Sequence, residues 1–506
     1  MKEHPVISAT ATVHTAEPIG TIDRRLFGSF VEHLGRCVYD GIYEPGHETA
    51  DEHGFREDVL ALVRELGVST VRYPGGNFVS GYRWEDGVGP RAERPKRVDL
   101  AWHSLETNEV GLNEFARWAE KSGTELMLAV NLGTRGVQEA LDLYEYTNIR
   151  SGTALSDLRA EHGAVEPHNV RMWCLGNEMD GPWQLGHRNA DDYGKIAAQT
   201  ARGLRQFDPD LQLVACGSSA RSMPTFGSWE RTVLEHCYDE VDYISCHAYY
   251  NLKGGDLAGF LASPVDMDRF IEEVGHAIDE VREAKGSDRD VRISFDEWNV
   301  WDIERYHEED KVTDPQVWPV APRLLEDSYS VADGVVVGGL LMALLRNVDR
   351  VAAASLAQLV NVIAPIMTEP GGAAWKQTTF FPFATTSRLA HGRSLRVDVD
   401  APTYDAADVG AVPLVDVVVT HDDDGAVVFL MNRSVDDAAS VEVSLTGLGV
   451  STIGEAVLLA DDDAMASNTL ADPERVGLRA LDSAALEGDV LRVELPAVSW
   501  AAVRVA

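Results

Sequence analysis

The 506-residue chain is short of positive charge, with 44 lysine and arginine residues against 82 aspartate and glutamate residues and a formal net charge of −38. Nucleic acids and anionic membranes are bound through basic surfaces. The charge balance therefore argues against a partner of either kind. Acidity alone is typical of a solvated surface, and it indicates no particular substrate.

Long hydrophobic runs are also missing. The most apolar stretch, residues 335–345, lies between Asp333 and Arg346 and is too short for the ~20 residues of a membrane span, so we expect a buried helix there. The first residues, MKEHPVIS, lack the apolar segment of a secretory leader. These features predict a cytoplasmic protein.

Cysteine is scarce, with an odd count of five and no CxxC pair. We therefore expect free thiols, as in most cytosolic proteins. Neither an HxH nor an HExxH pattern occurs, so the sequence predicts no metal site and no cofactor. The cysteines are Cys37, Cys174, Cys216, Cys237 and Cys246.

From residue 26 onward, short apolar runs alternate with segments of helical periodicity, and Gly67 and Gly123 are placed to end two of the helices. Eight such units predict a parallel sheet closed into a (β/α)8 TIM barrel. The alternative is an open doubly wound sheet, but no glycine-rich dinucleotide fingerprint follows the first strand. The predicted strands are residues 26–31, 70–73, 126–131, 172–175, 211–216, 241–246, 291–295 and 351–356.

After about residue 385 the helical periodicity disappears and short strands take over, which predicts an all-β sandwich of jelly-roll type. Residues 6–13 alternate weakly and need a distant partner, for which this C-terminal region is the candidate. We therefore predict a catalytic barrel over residues 21–384 and a sandwich of residues 1–20 plus 385–506. The predicted sandwich strands are residues 415–420, 426–431, 440–445, 490–495 and 501–505.

Polar residues cluster where the predicted barrel strands end. The carboxyl ends of barrel strands build the active site of this fold. One such residue could be structural, but seven of eight strands behaving alike indicates a site. The residues are Glu32 and His33 after strand one, Arg72 on strand two and Asn77 beyond it, Asn131 after strand three, Asn177 and Glu178 after strand four, His247 and Tyr249 after strand six, Glu297 after strand seven, and Gln358 and Asn361 after strand eight.

Two of these residues, Glu178 and Glu297, suggest glycosidic bond cleavage. One carboxyl group can protonate the leaving oxygen while an ionised one attacks the anomeric carbon. A separation of ~5–5.5 Å predicts retention of configuration, and a wider gap predicts inversion. The structural alternative for each glutamate is an ion pair with a barrel arginine.

Longer motifs carry a resemblance to a known family. GNE at residues 176–178 and DEWN at 296–299 resemble the clan of retaining glycosidases with catalytic glutamates on barrel strands four and seven. FGSFVEHLGRCVY at 27–39, VRYPGGNF at 71–78, GNEMDGPW at 176–183 and CHAYY at 246–250 resemble the family 51 α-L-arabinofuranosidases. The resemblance covers nearly the whole chain.

The resemblance implies a role for each residue of the site. Glu178 is expected to be the acid/base and Glu297 the nucleophile, with no metal. It also implies an arabinose-containing oligosaccharide substrate and assembly as a homohexamer. The implied substrate-site residues are Asn177 at the sugar 2-hydroxyl, Glu32, Asn77 and Gln358 at the other furanose hydroxyls, Arg72 and Tyr249 beside Glu297, His247 near Glu178, and Trp102 and Trp301 as apolar walls.

Three alternatives remain at this point. The first is another glycosidase on the same scaffold, an endoglucanase or a β-xylosidase. The second is a non-catalytic carbohydrate-binding barrel, although such a protein should have lost one of the catalytic carboxylates. The third is a barrel metallohydrolase, which the lack of ligand clusters disfavours. The missing leader favours short oligosaccharides over polymers as substrates.

Overall fold

The computed structural model describes residues 6–506, and its centre is a closed barrel of eight parallel strands, in which the eighth strand pairs with the first. All eight predicted barrel strands and the (β/α)8 fold are confirmed. Barrel strands 1 to 8 span Gly28–Phe30, Thr70–Tyr73, Glu125–Ala129, Met172–Leu175, Gln212–Ala215, Tyr243–Tyr250, Arg292–Val300 and Val351–Ala357.

Helices surround the barrel, and two of them end as predicted at Gly67 and Gly123, which adopt positive φ angles of 76° and 78°. The helix that contains the apolar stretch 335–345 begins at Val331, where Ser330 caps it by accepting a hydrogen bond from the Asp333 amide. The α-helices are Glu57–Leu66, Leu112–Ser122, Val137–Asn148, Ala154–Glu161, Ala190–Phe207, Ser228–Cys237, Leu257–Leu261, Ser263–Lys285, Ile303–Arg305, Val331–Arg346 and Phe380–Leu389. Shorter helical turns are Arg24–Phe27, Asn77–Gly81, Trp84–Gly87, Arg91–Glu93, Lys253–Gly255 and Tyr306–Asp310.

The helix Val331–Arg346 is buried on every side along its apolar length, as predicted. It lies between the barrel and the C-terminal sheet. Its Gly338 lies so close to Trp500 that an added Cβ would be 2.4 Å from the indole ring. A helix covered on all faces needs apolar residues all round. Among residues 6–506, no helix is long and apolar enough to cross a membrane.

The C-terminal region forms one ten-stranded sheet. The N-terminal strand Ile7–Thr21 lies inside it, antiparallel to Arg393–Asp400 and parallel to Ala439–Ser444, which confirms its predicted distant pairing. Apolar side chains from both halves of the sheet form one cluster, so the sheet bends round its own core as a sandwich does. The remaining strands are Val415–Asp422, Gly425–Asn432, Ile453–Leu459, Arg479–Ala480, Ala485–Glu487, Val490–Leu495 and Ser499–Val505.

Smaller features complete the fold. The five cysteines are buried free thiols, as predicted. The division of the chain after residues 20 and 384 stays a prediction, and residues 1–5 of the first segment lie outside the described part of the chain. Three two-stranded hairpins pair Arg97–Asp99 with Ser104–Glu106, Ile366–Thr368 with Ala374–Lys376, and Thr403–Ala406 with Gly410–Pro413.

Candidate active site at the carboxyl ends of the barrel strands

Glu178 and Glu297 face each other at the carboxyl end of the barrel. A carboxylate oxygen of one lies within 4.8 Å of a carboxylate oxygen of the other. Both side chains are buried, with exposed fractions of 8% and 5%. The two carboxyl groups are therefore too close to admit a water molecule and a sugar between them in the manner of an inverting site.

The local backbone explains how each glutamate reaches this point. The chain leaves barrel strand 4 through Gly176 at φ 102°, and Glu178 itself adopts φ 42°, a strained angle for a residue with a side chain. In barrel strand 7 the register with strand 6 shifts between Ser294 and Glu297. This irregularity lets the consecutive residues Asp296 and Glu297 both approach Arg72, at 3.7 and 2.8 Å.

Glu297 is held by two permanent donors. The Arg72 guanidinium donates to its Oε1 at 2.8 Å, and the Tyr249 hydroxyl donates to its Oε2 at 2.9 Å. Burial raises the pKa of Glu297, while the positive charges of His247 and Arg72 oppose that rise. Both hydrogen bonds favour the ionised carboxylate.

Arg72 also fixes the residue before Glu178. Its second amino group donates to Asn177 Oδ1 at 2.7 Å, and Asn177 Nδ2 in turn donates to Asn77 Oδ1 at 3.3 Å. The guanidinium is 1% exposed and lies 5.0 Å from the centre of the Phe30 ring. One arginine thus sets the positions of barrel strands 4 and 7 relative to each other.

His247 connects the remaining carboxylates. Its Nδ1 lies 2.9 Å from Glu178 Oε1, and its Nε2 lies 2.9 Å from Asp296 Oδ1. Burial lowers the pKa of His247, but Glu297, Asp296 and Glu178 raise it well above the usual value. Three carboxyl groups therefore face two cationic side chains, so one carboxyl can carry a proton without leaving a charge unbalanced.

Glu32 forms a second polar centre beside the pair. Its Oε1 accepts hydrogen bonds from the Phe78 amide and the Trp102 indole, both at 2.8 Å, and its Oε2 accepts one from Gln358 at 3.2 Å. Burial raises the pKa of Glu32 to about 8, although the bonds from Phe78 and Trp102 lower it. Gly76 separates the two centres, since an added Cβ would lie 3.1 Å from Glu297 and 3.2 Å from Glu32.

Aromatic side chains line one side of the site. Trp301 lies edge-to-face against Tyr249, with ring centres 5.2 Å apart. Tyr306 lies between Trp301 and Trp102, at 6.1 and 6.0 Å from their ring centres. The structure therefore brings all eleven residues predicted for the site into one connected set, and Trp102 enters it through its bond to Glu32.

Three other polar residues at the strand ends serve the local fold instead. His33 bonds the Tyr73 hydroxyl at 2.8 Å. Asn131 accepts from the Gly133 and Thr134 amides, closing a turn. Asn361 donates to the Arg36 carbonyl and accepts from the Thr368 amide. A strand-end position alone does not separate these residues from those of the site.

Sequence reasoning also missed members of the site. The Trp183 indole donates to Glu178 Oε2 at 2.7 Å, although its side chain is 53% exposed. Asp296 supports His247, and Tyr306 separates the two tryptophans. The adjacency of Asp296 to Glu297 was a usable signal. The contacts of Trp183 and Tyr306 depend on loop conformations that no spacing reveals.

Glu178, His247 and Glu297 each offer one ligand atom within 4.8 Å of the others, a spacing that suits a divalent cation. The protein's own cationic side chains already bond these groups, because Arg72 donates to Glu297 and both His247 nitrogens face carboxylates. The carboxylates therefore need no metal to come together, and the arrangement suits proton transfer and nucleophilic attack.

Two family descriptions match the chain. Residues 62–258 match the α-L-arabinofuranosidase 1 domain, and residues 296–499 match the α-L-arabinofuranosidase C-terminal domain. An intracellular exo-α-(1→5)-L-arabinofuranosidase of Streptomyces lividans is 57% identical over 99% of this chain and 75% of that protein. An exo-α-(1→6)-L-arabinofuranosidase of Bifidobacterium longum is 57% identical over 96% of this chain and 95% of that protein.

Solved structures give the same result. A family 51 α-L-arabinofuranosidase from Bifidobacterium longum superposes with a TM-score of 0.95 at 48% identity, covering 99% of this chain and 100% of that one. An α-L-arabinofuranosidase from Thermotoga maritima, solved with arabinose, superposes with a TM-score of 0.85 at 31% identity, covering 98% and 99%.

Proposed function

The chain belongs to the family 51 α-L-arabinofuranosidases, and from this membership we propose that Glu178 is its general acid/base and Glu297 its nucleophile. The observation that carries the assignment is the pair of carboxylate oxygens within 4.8 Å of each other. Their different partners support the division of roles. Arg72 and Tyr249 favour an ionised Glu297, while Glu178 lies towards the exposed Trp183, where a leaving group can depart.

The activity is that of an exo-α-L-arabinofuranosidase, which removes terminal α-L-arabinofuranosyl units from arabino-oligosaccharides. The curated relatives at 46–57% identity are exo-acting arabinofuranosidases, and several are named intracellular. This likeness favours arabinofuranosides over the substrates of an endoglucanase or a β-xylosidase. It also supports a cytoplasmic location for this chain.

The reaction proceeds by double displacement. Glu297 attacks the anomeric carbon while Glu178 gives its proton to the leaving oxygen, which yields a covalent arabinosyl-enzyme and a free alcohol. Glu178, now ionised, then takes a proton from water as the water attacks the same carbon. Glu297 leaves, and the product keeps the α configuration.

The furanose is proposed to bind among the polar groups that surround the pair. Asn177 contacts the 2-hydroxyl, and Glu32, Asn77 and Gln358 take the remaining hydroxyls. Each of these side chains already has a fixed orientation through its hydrogen bonds in the protein. Such preorganisation lowers the cost of ordering them around the sugar.

Two further features of the chain are proposals. The catalytic barrel comprises residues 21–384, and residues 1–20 plus 385–506 form the sandwich domain. The chain assembles as a homohexamer, as its family resemblance implies. Size-exclusion chromatography with light scattering measures the mass of the assembly. The expected mass is six times the 55.3 kDa of one chain.

The proposed function is tested by following hydrolysis of aryl α-L-arabinofuranoside by NMR, beside aryl β-xyloside and β-glucoside. We expect cleavage of the arabinofuranoside alone, with α-arabinofuranose as the first product before it mutarotates. An initial β product would contradict double displacement. Preferential cleavage of a β-glycoside would contradict the substrate assignment.

A further inference from the structure

Asp296 is a buried carboxylate in the candidate active site that the proposed reaction does not use. It precedes Glu297 in barrel strand 7 and is 1% exposed. A buried carboxylate is costly unless cationic or hydrogen-bonding groups face it. The neighbours of Asp296 therefore indicate what its charge stabilises.

Both oxygens of Asp296 face donors from other barrel strands. Oδ1 lies 2.9 Å from His247 Nε2 on strand 6. Oδ2 lies 3.7 Å from Arg72 Nε on strand 2, and it accepts a hydrogen bond from the Cys174 thiol on strand 4 at 3.6 Å. The Cys174 sulfur in turn accepts from Arg72 Nε at 3.4 Å. Asp296 thus contacts the same two cationic side chains that face Glu297.

His247 links Asp296 to the catalytic pair. Its other ring nitrogen, Nδ1, lies 2.9 Å from Glu178 Oε1 and 3.5 Å from Glu297 Oε2. A neutral imidazole has a single N–H and donates at one end only, whereas an imidazolium donates at both ends. While Nε2 donates to Asp296, the ring can donate to the glutamates only as the cation.

The other titratable groups of this cluster do not play the same part. Burial raises the pKa of each neighbouring thiol and of the Tyr249 hydroxyl, so these groups stay neutral around neutral pH. Asp180 instead accepts from the Ser219 amide at 3.0 Å, and burial raises the pKa of Asp180 to about 6. The groups that surround the cluster are Arg72 from strand 2, Cys174 from strand 4, Glu178 and Asp180 after that strand, Cys216 after strand 5, Cys246 and Tyr249 from strand 6, and Glu297 from strand 7.

We propose that Asp296 is a positioning residue whose negative charge holds His247 as an imidazolium between the two catalytic glutamates. Protein donors occupy both of its oxygens, so Asp296 acts through His247 and Arg72 and not on the sugar. Its charge sets the pH range in which Glu178 keeps its proton while Glu297 is ionised. This role rests on the proposed acid/base and nucleophile and extends that proposal.

Asp296→Asn tests this role, because it removes the charge and keeps the shape of the side chain. The amide oxygen can still accept from His247, and the amide nitrogen faces the Cys174 sulfur. Losing one negative charge from a buried site lowers the pKa of the titratable groups that stay there. Both limbs of the pH profile of kcat/KM should therefore move by about one pH unit towards lower pH.

The profile is measured from about pH 4 to pH 9 on arabinobiose, because its leaving sugar needs the proton of Glu178. The pH at which a limb falls does not depend on how much of the protein folds, so a lower yield of active enzyme does not hide the shift. Asp296→Ser also removes the charge and leaves room for a water molecule. Its limbs should move in the same direction.

Two control variants separate the charge from disturbed packing. Cys174→Ala removes a contact of both Arg72 and Asp296 but no charge. Asp416→Asn removes a carboxylate that bonds two arginines in another part of the chain, at the junction with the sheet domain. In both control variants the limbs should stay where they are in the wild type.

Limbs of Asp296→Asn and Asp296→Ser that coincide with those of the wild type overturn the proposal, even if kcat/KM itself falls. An equal shift in Cys174→Ala also overturns it, because that shift would come from altered packing around Arg72. A wild-type chain that cleaves neither arabinobiose nor an aryl α-L-arabinofuranoside overturns the proposed function, and with it this role of Asp296.

Discussion

Two residues of identical chemistry, Glu178 and Glu297, receive different partners in this site. Glu297 accepts hydrogen bonds from Arg72 and Tyr249, which both remain donors around neutral pH. Glu178 is bonded by the Trp183 indole and faces His247. The distinction between a nucleophile and an acid/base therefore lies in the neighbours of the two carboxyl groups and not in the carboxyl groups themselves.

The Tyr249 hydroxyl gives the first prediction at the residue scale. Tyr249→Phe removes one hydrogen bond to the ionised Glu297 and leaves the ring against Trp301. We expect kcat/KM on aryl α-L-arabinofuranoside to fall about 10- to 100-fold, the effect of one bond to a charged group. The melting temperature should change little. A variant with wild-type kcat/KM would show that Tyr249 does not position the nucleophile.

Glu32 gives a prediction about pH. Its pKa is about 4.5 in the unfolded chain and is raised to about 8 by burial in the folded protein, so folding takes up a proton between these values. The stability due to this group is present below about pH 4.5 and is lost as the pH rises towards 8. The amide of Glu32→Gln does not titrate, so it takes up no proton on folding. Its oxygen can still accept hydrogen bonds from the Phe78 amide and the Trp102 indole.

The melting temperatures of wild type and Glu32→Gln should therefore diverge as the pH is raised from 5 to 8. The free energy of unfolding of the variant should rise by about 1–3 kcal/mol relative to that of the wild type over this interval. Differential scanning calorimetry at several pH values measures the melting temperatures of both proteins. Curves that stay parallel across the interval would rule out proton uptake by Glu32 on folding.

At this scale the sequence identified the residues that sit directly on strand ends, such as Glu178 and Glu297. It could not separate them from Asn131 and Asn361, because turn-closing and substrate-facing amides have the same sequence pattern. It missed Trp183, whose indole returns to Glu178 from a loop. Loop conformation depends on packing between distant segments, which periodicity does not encode.

Among the elements, the loop after barrel strand 2 is the most constrained by the site. Gly75 adopts φ 137°, and a Cβ there would lie 2.3 Å from the Glu32 side chain. Gly75→Ala should therefore destabilise the protein by more than ~2 kcal/mol and lower kcat/KM more than ~10-fold. Thermal unfolding and steady-state kinetics measure the two effects.

Gly46→Ala is the control for this loop. Gly46 is exposed, its φ is not positive, and an added Cβ would meet nothing within 4 Å. It should match the wild type in both measurements. Equal behaviour of the two variants would contradict the tight packing of Gly75 against Glu32.

The elements differed in how far they could be predicted. Barrel strands such as Met172–Leu175 are buried on both faces and read as continuous apolar runs. The strand Ile453–Leu459 was missed, because it contains Gly454 and Glu455 and is buried only at its end. Arg393–Asp400 was missed too, since charged residues occupy its exposed face.

At the scale of the whole molecule, a partly buried ion network joins the barrel to the sheet domain. Arg346 on a barrel helix bonds Asp268 and Asp416, and Arg433 bonds Asp416 at 2.6 Å. Burial would raise the pKa of Asp416, but Arg346 and Arg433 hold it well below its usual value. The stability from Asp416 is therefore present above about pH 4 and is lost as the pH falls through its lowered pKa.

Asp416→Asn should lower stability at pH 7 by about 2–4 kcal/mol, because Arg433 is left buried without its counter-charge. The difference from wild type should shrink below about pH 4. Denaturant unfolding at pH 7 and below pH 4 measures the difference in the free energy of unfolding. Asp398→Asn, which removes an exposed pair with His14, is the control and should leave the stability close to that of the wild type. A loss at pH 7 no larger than that of the control would contradict a role for the network.

The overall architecture was predictable because repeated strand–helix units leave few ways to bury eight apolar strands. The sequence also showed that residues 6–13 need a partner, but not that Ile7–Thr21 lies between Arg393–Asp400 and Ala439–Ser444. Pairing between strands that far apart in the chain is decided by the assembled core. The closing of the barrel brings Glu178 and Glu297 together.

The division of labour between Glu178 and Glu297 is tested most directly with Glu178→Ala and Glu297→Ala on substrates of differing leaving-group ability. A good leaving group needs no proton, so only the acid becomes dispensable for the first step. We predict that Glu178→Ala still releases an activated phenol in a burst but fails on a poor leaving group, while Glu297→Ala fails on both. The reverse pattern, or equal losses in both variants on every substrate, would contradict the roles assigned to the pair.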